Sequence, residues 1–213
     1  ADIPVISLRN DPLQDTGNKF KKRIFDIVFS SLVILLLLSW LMPIIAILIK
    51  LGSRGPVFFI QERSGRNNEP FRCLKFRTLR INEEANSKQV TKDDQRITPL
   101  GKFLRKSNID ELPQFINVFL GDMSVVGPRP HMLKHTTDFT NIYKQYMVRH
   151  FIKPGVTGWA QVNGYRGVIS ENKYLVKRIE HDIWYLENWS ISLDIKIIFM
   201  TVYNTIKGDK NAF

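Results

Sequence analysis

The longest apolar stretch of the chain is an uncharged run from Ile27 to Ile49. Its length is about that required for a helix to cross the hydrocarbon core of a bilayer. A core helix of a soluble protein seldom stays uncharged for so long, so the pattern favours a membrane helix. Pro43 cannot donate to the Ser39 carbonyl and its ring clashes there, so we expect this helix to bend at Ser39–Pro43.

Basic residues flank this run on both sides. They are Lys19, Lys21, Lys22 and Arg23 before it, and Lys50, Arg54, Arg63 and Arg66 after it. Because positive residues favour the cytoplasmic side of a membrane, a helix that enters and leaves through one face explains both flanks most simply. The sequence therefore predicts a kinked re-entrant membrane helix over residues 19–54, with 1–18 as a linker or the end of a preceding domain.

The remaining pattern predicts a mainly helical α+β domain over residues 55–213. Val57–Ile60 and Phe71–Phe76 are short apolar stretches separated by turn residues, which predicts a small β-hairpin. Apolar side chains at helical spacing predict helices at 100–105, 113–120, 134–150 and 192–206. Residues 82–95 are polar and are predicted to be a surface loop or a short polar helix. The apolar face of the last helix suits the lipid interface and core packing equally well.

One acidic pair carries the strongest chemical signal. Pro113 suits the first turn of a helix, so Asp110 and Glu111 stand just ahead of a helix N-terminus. Unpaired backbone N–H groups at such an end favour ionised carboxylates, and they would also favour a bound phosphate. For an arbitrary sequence, a helix-capping role for either acid is the simpler explanation.

Cationic neighbours shift that balance towards a binding site. Arg105 and Lys106 precede the acidic pair, and Arg129 follows it in the Gly-Pro-Arg-Pro segment 127–130. The two prolines restrict the backbone around Arg129, so its planar guanidinium group loses little entropy on binding a diphosphate. A loop at 153–159 contains two glycines, which would let backbone N–H groups approach a ligand closely.

Composition narrows the class of partner. The net charge of +11 over 213 residues points to nucleic acid, an anionic membrane surface or a phosphorylated substrate. The single cysteine, Cys73, excludes an internal disulfide, and the four histidines have no paired metal-ligand spacing. The sequence has no base-reading or aromatic stacking motif in a recognised arrangement, which argues against nucleic acid.

Together these motifs resemble the bacterial sugar transferase family, the monotopic polyprenyl-phosphate phosphoglycosyl transferases that start exopolysaccharide, O-antigen and glycoprotein glycan assembly. The resemblance covers Lys19 to Phe213 and is specific because several long motifs occur in the right order. Besides the basic start and the hydrophobic hairpin, they lie at residues 55–57, 61–63, 75–77, 96–98, 104–105, 110–114, 121–124, 127–130 and 153–159.

The resemblance implies a reaction and roles for individual residues. Such an enzyme transfers a sugar 1-phosphate from a UDP-sugar to undecaprenyl phosphate and releases UMP. Residues 149–167 are most similar to members that use glucose 1-phosphate, followed by those that use galactose 1-phosphate. Asp110 would be the nucleophile, through a covalent aspartyl-phosphosugar, and a ligand of Mg²⁺, while Glu111 would be the base or orienter for the lipid phosphate. Lys75, Arg77, Arg105 and Arg129 would bind substrate phosphate, and Asp182 would be an additional acidic site residue.

The resemblance also implies a bacterial inner-membrane location, with amphipathic interfacial helices around a cytoplasmic catalytic domain. The partners would be the UDP-sugar, undecaprenyl phosphate and membrane lipids, with no nucleic acid, and a homo-oligomer stays open. In the family, serine is commonly followed directly by proline at the helix break, whereas Ser39 and Pro43 are four positions apart here. The chief alternative is a non-catalytic membrane-anchored module that binds anionic lipid or another polyanion, or that acts as a scaffold.

Overall fold

A computed structural model describes residues 11–81, 94–167 and 172–208, and this part of the chain is mainly helical, as the sequence predicts. The helices are α1 (Thr16–Val33), α2 (Ser39–Gly52), α3 (Pro99–Lys106), α4 (Gln114–Leu120), α5 (Leu133–Ile142), α6 (Trp159–Val162), α7 (Asn172–Glu187) and α8 (Ile191–Lys207). The strands are β1 (Phe58–Ser64), β2 (Pro70–Phe76), β3 (Ser124–Val126) and β4 (Gly155–Thr157). Most of the polar segment predicted at 82–95 lies outside the described residues.

The predicted long apolar helix is present near the N-terminus. Helices α1 and α2 are joined by a π-helical turn at Ile34–Leu38 and together run from Thr16 to Gly52. This helix is long and apolar enough to cross a membrane, and only 17% of its most apolar window is buried by protein. The departure from α-helical geometry comes directly before Ser39, whose Oγ donates to the Leu35 carbonyl oxygen at 2.7 Å.

Buried polar contacts fasten α1 to the rest of the fold. Lys22 Nζ lies 2.7 Å from Asp194 Oδ2 on α8, and the Tyr185 hydroxyl donates to the other oxygen of Asp194 at 2.6 Å. Asp26 accepts a hydrogen bond from the backbone N–H of Val125 at 2.9 Å. An unpaired buried charge costs several kcal/mol, so rotating α1 away from these partners would be unfavourable. The contacts therefore fix the orientation of α1 against β3 and α8.

Both ends of the long helix also bond to the folded domain. Arg23, near its start, donates to the carbonyl oxygens of Val118 and Phe119, each at 2.7 Å, at the end of α4. Arg77, just after β2, donates to the Ser53 carbonyl oxygen at 2.8 Å, just past the end of α2. Cationic side chains therefore donate to carbonyl oxygens at the ends of α4 and α2, where positive charge is favourable.

Two small sheets position the loops of the site. The predicted hairpin is confirmed: β1 and β2 pair antiparallel, from Phe58 opposite Phe76 to Ser64 opposite Pro70. A second pair, β3 and β4, is parallel and was not predicted. A Cβ at Gly155 would overlap the backbone nitrogen of Gly127, so the two glycines let these strands approach closely. This contact places the 127–130 loop beside the 153–159 loop.

The single helix predicted at 134–150 is wrong. Helix α5 ends at Ile142, Tyr143 has an extended backbone (φ −140°), and a separate 3₁₀ segment covers Lys144–Phe151. The redirected chain buries Tyr146 completely and sets its hydroxyl 2.8 Å from His131 Nδ1. Apolar spacing identified the helical residues, whereas the break follows from burying this polar aromatic group where it has a partner.

Candidate active site

The acidic pair lies in a 3₁₀ turn, Ile109–Glu111, between α3 and α4. Asn108 enters this turn with a left-handed backbone (φ 58°), a conformation that asparagine tolerates better than most residues. Pro113 occupies the N-cap position of α4, one residue before the first turn in which the sequence placed it. Asp110 and Glu111 are 8% and 7% exposed, so both carboxylates are held in an almost closed environment.

Glu111 is surrounded by cations. Its Oε1 lies 2.7 Å from Lys75 Nζ and 2.6 Å from Arg129 Nη2, while its Oε2 lies 3.1 Å from Arg129 Nη1. Arg166 Nη2 approaches the same Oε2 to 3.9 Å. Burial alone would raise the pKa of Glu111, but Arg129 and Lys75 outweigh it and hold that pKa well below its ordinary value. Glu111 is therefore a poor base at neutral pH, and its main effect is to hold the surrounding cationic side chains in place.

Asp110 has the opposite environment. No hydrogen bond, and no ion pair within 4 Å, is formed by its carboxylate in the part of the chain that the structure describes. Burial, followed by the charge of Glu111, raises the pKa of Asp110 to about 6, against the opposing effect of Lys75 and Arg105. Asp110 is thus ionised at neutral pH, weakly solvated and unengaged, which are the properties of a carboxylate nucleophile.

Arg105 extends the cationic group around the two acids. It lies in the last turn of α3, and its Nε donates to Thr78 Oγ1 at 2.8 Å. A Cβ at Gly101 would overlap the carbonyl oxygen of Thr78, so glycine allows α3 to pack directly on this backbone. The contact holds the Arg105 guanidinium group where it interacts electrostatically with Asp110 and Glu111.

Two residues that the sequence placed in the site lie elsewhere. Arg77 bonds to the backbone carbonyls of Ser53 and Arg54 at the end of α2, so its guanidinium group is separate from the acidic pair. Asp182 is fully buried on α7, where its Oδ2 accepts from Arg149 Nε at 2.9 Å. Neither side chain joins the cluster formed by Asp110, Glu111 and their cations.

Asp182 nevertheless supports that cluster from behind. Arg149 is 2% exposed, and its Nη2 donates to the carbonyl oxygen of Arg129 at 2.7 Å while the same guanidinium group pairs with Asp182. Burial raises the pKa of Asp182, and the opposing charge of Arg149 limits this rise. Asp182 therefore acts on the site through Arg149, which fixes the backbone that carries Arg129.

Sequence reasoning missed Arg166, which joins the cluster. In addition to its approach to Glu111, Arg166 Nη2 donates to Asn108 Oδ1. Arg178 fixes the segment that carries Arg166, since its Nε and Nη2 donate to the carbonyl oxygens of Tyr165 and Gly167 at 2.8 and 2.9 Å. The signal in the sequence was the segment Gly-Tyr-Arg-Gly at 164–167, in which two glycines with left-handed backbones (φ 90° and 97°) turn the chain around an arginine.

Comparison with known proteins identifies the family. Residues 17–208 match the family described as "Bacterial sugar transferase". The chain belongs to the bacterial sugar transferase family. Bacterial sugar transferases at 44–46% identity include three whose names state their substrates.

The UDP-glucose:undecaprenyl-phosphate glucose-1-phosphate transferase of Escherichia coli (strain K12) is 46% identical over 204 residues, covering 94% of this chain and 43% of the relative. The protein of the same name from Xanthomonas campestris pv. campestris is 45% identical over 218 residues, covering 100% of this chain and 44% of the relative. The UDP-N-acetylgalactosamine-undecaprenyl-phosphate N-acetylgalactosaminephosphotransferase of Aeromonas hydrophila is 44% identical over 191 residues, covering 89% and 44%. This chain thus spans less than half the length of each of these relatives.

The residues at this family site fit one mode of binding Mg²⁺. Among the described residues, no group of three or more His, Cys, Asp or Glu side chains could form a metal cage. Mg²⁺ commonly binds through one or two carboxylates together with substrate phosphates and water. Because Glu111 is engaged by cations and Asp110 is not, Asp110 is the carboxylate here that suits a magnesium ion bound together with a diphosphate.

Proposed function

We propose that this chain transfers a sugar 1-phosphate from a UDP-sugar to undecaprenyl phosphate, releasing UMP through a covalent aspartyl-phosphosugar on Asp110. The observation that carries the proposal is the division of roles within the acidic pair. Glu111 is neutralised by Lys75 and Arg129, while the neighbouring Asp110 is buried, ionised at neutral pH and unengaged. The substrates follow the names of the relatives that share 44–46% identity.

In the first half of the reaction, an oxygen of Asp110 attacks the β-phosphorus of the UDP-sugar. A bond forms between that oxygen and phosphorus, the bond from phosphorus to the bridging oxygen breaks, and UMP leaves with the electron pair. Phosphoryl transfer depends on charge neutralisation and in-line positioning. Arg105, Arg129 and Arg166 supply fixed guanidinium groups for this purpose, and a bound magnesium ion would add charge neutralisation at the diphosphate.

In the second half, an oxygen of undecaprenyl phosphate attacks the same phosphorus. The bond between phosphorus and Asp110 breaks, so the carboxylate is regenerated and the product is an undecaprenyl diphosphosugar. The low pKa of Glu111 supports a role as orienter rather than base, since Glu111 holds Lys75 and the two nitrogens of Arg129 in one arrangement. A lipid phosphate that is already anionic requires no base to become a nucleophile.

The long helix is proposed to be re-entrant at the cytoplasmic face of a bacterial inner membrane. A straight helix would separate residues 23 and 53 by about 45 Å, whereas a bilayer core is about 30 Å thick. A spanning helix would carry one flank away from the folded domain, yet Arg23 and Ser53 both bond to that domain. Leu35 and Leu36, midway along the helix, are 68% and 71% exposed, which suits the deepest point of insertion.

Cysteine labelling tests this topology. Cys73, the only native cysteine, is buried, so cysteines introduced at the exposed positions Lys19 and Lys50 can be followed separately. A membrane-impermeant maleimide should label both from the cytoplasmic side of inverted vesicles, and neither in intact spheroplasts. Labelling of the two positions from opposite sides would contradict re-entry.

The donor is proposed to be UDP-glucose, with UDP-galactose as the second choice. Two of the relatives above are named for glucose and one for N-acetylgalactosamine, so family membership alone leaves the sugar open. A panel of UDP-sugars scored by UMP release with undecaprenyl phosphate and Mg²⁺ would identify the donor.

The same assay tests the reaction. UMP release should require undecaprenyl phosphate for sustained turnover and should vanish in Asp110→Asn. Full activity in that variant would remove Asp110 from the nucleophile role. Lipid binding without UMP release for every UDP-sugar in the panel would instead favour the non-catalytic scaffold.

A further inference from the structure

A groove of about 340 Å³ is lined by Glu111 of the acidic pair and by residues of the long apolar helix. One wall comes from α1 and the following π turn, and the opposite wall comes from α8. The apolar side chains of the walls are Phe29, Val33 and Leu37 on the first side, and Ile198, Val202 and Ile206 on the second. Three of these lie in the apolar run itself, so the groove adjoins the helix that is proposed to enter the membrane.

The other end of the groove is polar. Glu111 and Arg166 line it, and Asn108 links Arg166 to α8 by donating from Nδ2 to Thr205 Oγ1 at 3.2 Å. Gln161 also lines the groove; it is only 9% exposed, and its Oε1 has no hydrogen-bond partner among the described residues. This oxygen is an acceptor, so a water molecule or a donor group of a ligand would satisfy it.

We propose that this groove binds the isoprenoid units nearest the phosphate of the polyprenyl acceptor, with the phosphate held at the Arg166 end. The inference rests on the proposed function and names the part of the protein that receives its lipid substrate. An amphiphile with one anionic head and one apolar chain matches a groove that is cationic at one end and apolar along its walls.

Other occupants fit this shape less well. The sugar and the uridine of the donor are polar on most sides, and burying them against the apolar walls would leave their hydroxyl groups without partners. A volume near 340 Å³ is at the small end of ligand pockets, which span about 300–1,000 Å³, so it admits part of one chain better than the two chains of a phospholipid.

Groove-filling variants test the assignment. Val33→Trp and Val202→Trp each place a large ring in the groove, one from each wall. Leu36→Trp and Phe199→Trp are matched controls, because both positions lie on the same two helical segments, are 71% exposed and do not line the groove. All four are made in the full chain and reconstituted in nanodiscs.

Two measurements separate the two substrates. The KM for undecaprenyl phosphate, from steady-state UMP release, should rise at least about tenfold in the groove variants, which corresponds to losing contacts equal to about two buried methylene groups. Transfer of label from a UDP-sugar labelled in its β-phosphate to the protein, measured without acceptor, should change far less. The control variants should match the unmodified chain in both measurements.

The possible results decide between the explanations. An unchanged KM for undecaprenyl phosphate in both groove variants would overturn the inference. Loss of protein labelling with no change in that KM would also overturn it, because the groove would then bind the UDP-sugar. Absence of UMP release from the unmodified chain would contradict the proposed function instead. In that case, a photoreactive benzoylphenylalanine in place of Val202 still tests whether the groove binds the lipid. Crosslinking to polyprenyl phosphate from mixed vesicles would support the inference, and crosslinking to bulk phospholipid alone would overturn it.

Discussion

Replacing Asp110 with asparagine should stabilise the folded protein at neutral pH while it abolishes UMP release. The reason is the cost of keeping a buried carboxylate ionised beside another carboxylate. Burial and Glu111 raise the pKa of Asp110 from 3.8 to about 6, and each unit is worth about 1.4 kcal/mol. The shift therefore costs at most about 3 kcal/mol of unfolding free energy once Asp110 is ionised in the native state.

The sign of the pH dependence follows from proton binding. Between pH 4 and pH 6 the native state holds the Asp110 proton more tightly than the unfolded chain, so stability falls as the pH rises through this window. Above it the cost is constant. Asparagine has nearly the same shape and no charge, so Asp110→Asn should match the unmodified chain near pH 4 and exceed its stability above pH 6.

Thermal unfolding in detergent micelles, followed by tryptophan fluorescence from pH 4 to pH 8, measures this difference. For a chain of this size 1 kcal/mol corresponds to about 2–4 °C, so the Tm of Asp110→Asn should rise by up to about 6–12 °C at pH 7.5. Glu111→Gln is the matched control with the opposite sign. The pKa of Glu111 is lowered in the native state, so this variant should lose stability at neutral pH, and the loss should shrink in acid. A Tm difference for Asp110→Asn that did not change with pH, or a lower Tm at pH 7.5, would show that the ionised Asp110 does not destabilise the fold.

Three further predictions follow from the same contacts. Asp182→Asn leaves the buried charge of Arg149 without its carboxylate partner, so the unfolding free energy measured with denaturant should fall by about 3–5 kcal/mol. A fall below about 1 kcal/mol would show that this ion pair does not stabilise the fold. Arg77→Met removes hydrogen bonds at the end of α2, so it should lower the unfolding free energy by about 1–3 kcal/mol but keep the kcat of UMP release within about twofold. A complete loss of activity with unchanged stability would show that Arg77 acts in the active site. The value of kcat/KM for the UDP-sugar should rise with pH around a midpoint near 6 as Asp110 ionises. Glu111→Gln should move that midpoint to lower pH, because the charge of Glu111 raises the pKa of Asp110. A flat profile from pH 5 to pH 8 would exclude Asp110 as the titrating group.

Local patterns predicted the elements that depend on local physics. The uncharged run, the short apolar stretches with turn residues between them at β1 and β2, and the proline at the start of α4 are local signals, and the structure has the expected elements at these places. The acidic pair and Arg129 were found for the same reason. Gly121 ends α4 with a left-handed backbone (φ 100°), as a glycine after an apolar helix indicates.

Features that depend on distant contacts escaped sequence reasoning. Strands β3 and β4 are three residues each, too short for a periodic signal, and they form because Gly127 and Gly155 can approach one another. Arg77 was assigned to the site from the family resemblance of segment 75–77, but β2 ends at Phe76 and the Arg77 side chain bonds to the end of α2 instead. Arg149 and Arg166 act through a backbone carbonyl and an asparagine, which are contacts that charge patterns along the chain do not reveal.

Covalent phosphorylation of Asp110 can be detected by mass spectrometry. The chain would be mixed with UDP-glucose and Mg²⁺ without lipid acceptor, quenched within seconds and digested in acid, with Asp110→Asn and Glu111→Gln treated in parallel. The peptide containing Asp110 should gain the mass of a sugar phosphate less one water. This gain should disappear when undecaprenyl phosphate is added, and Asp110→Asn should never show it. UMP release with the peptide unmodified, or the added mass found on any residue other than Asp110, would contradict covalent phosphorylation of Asp110.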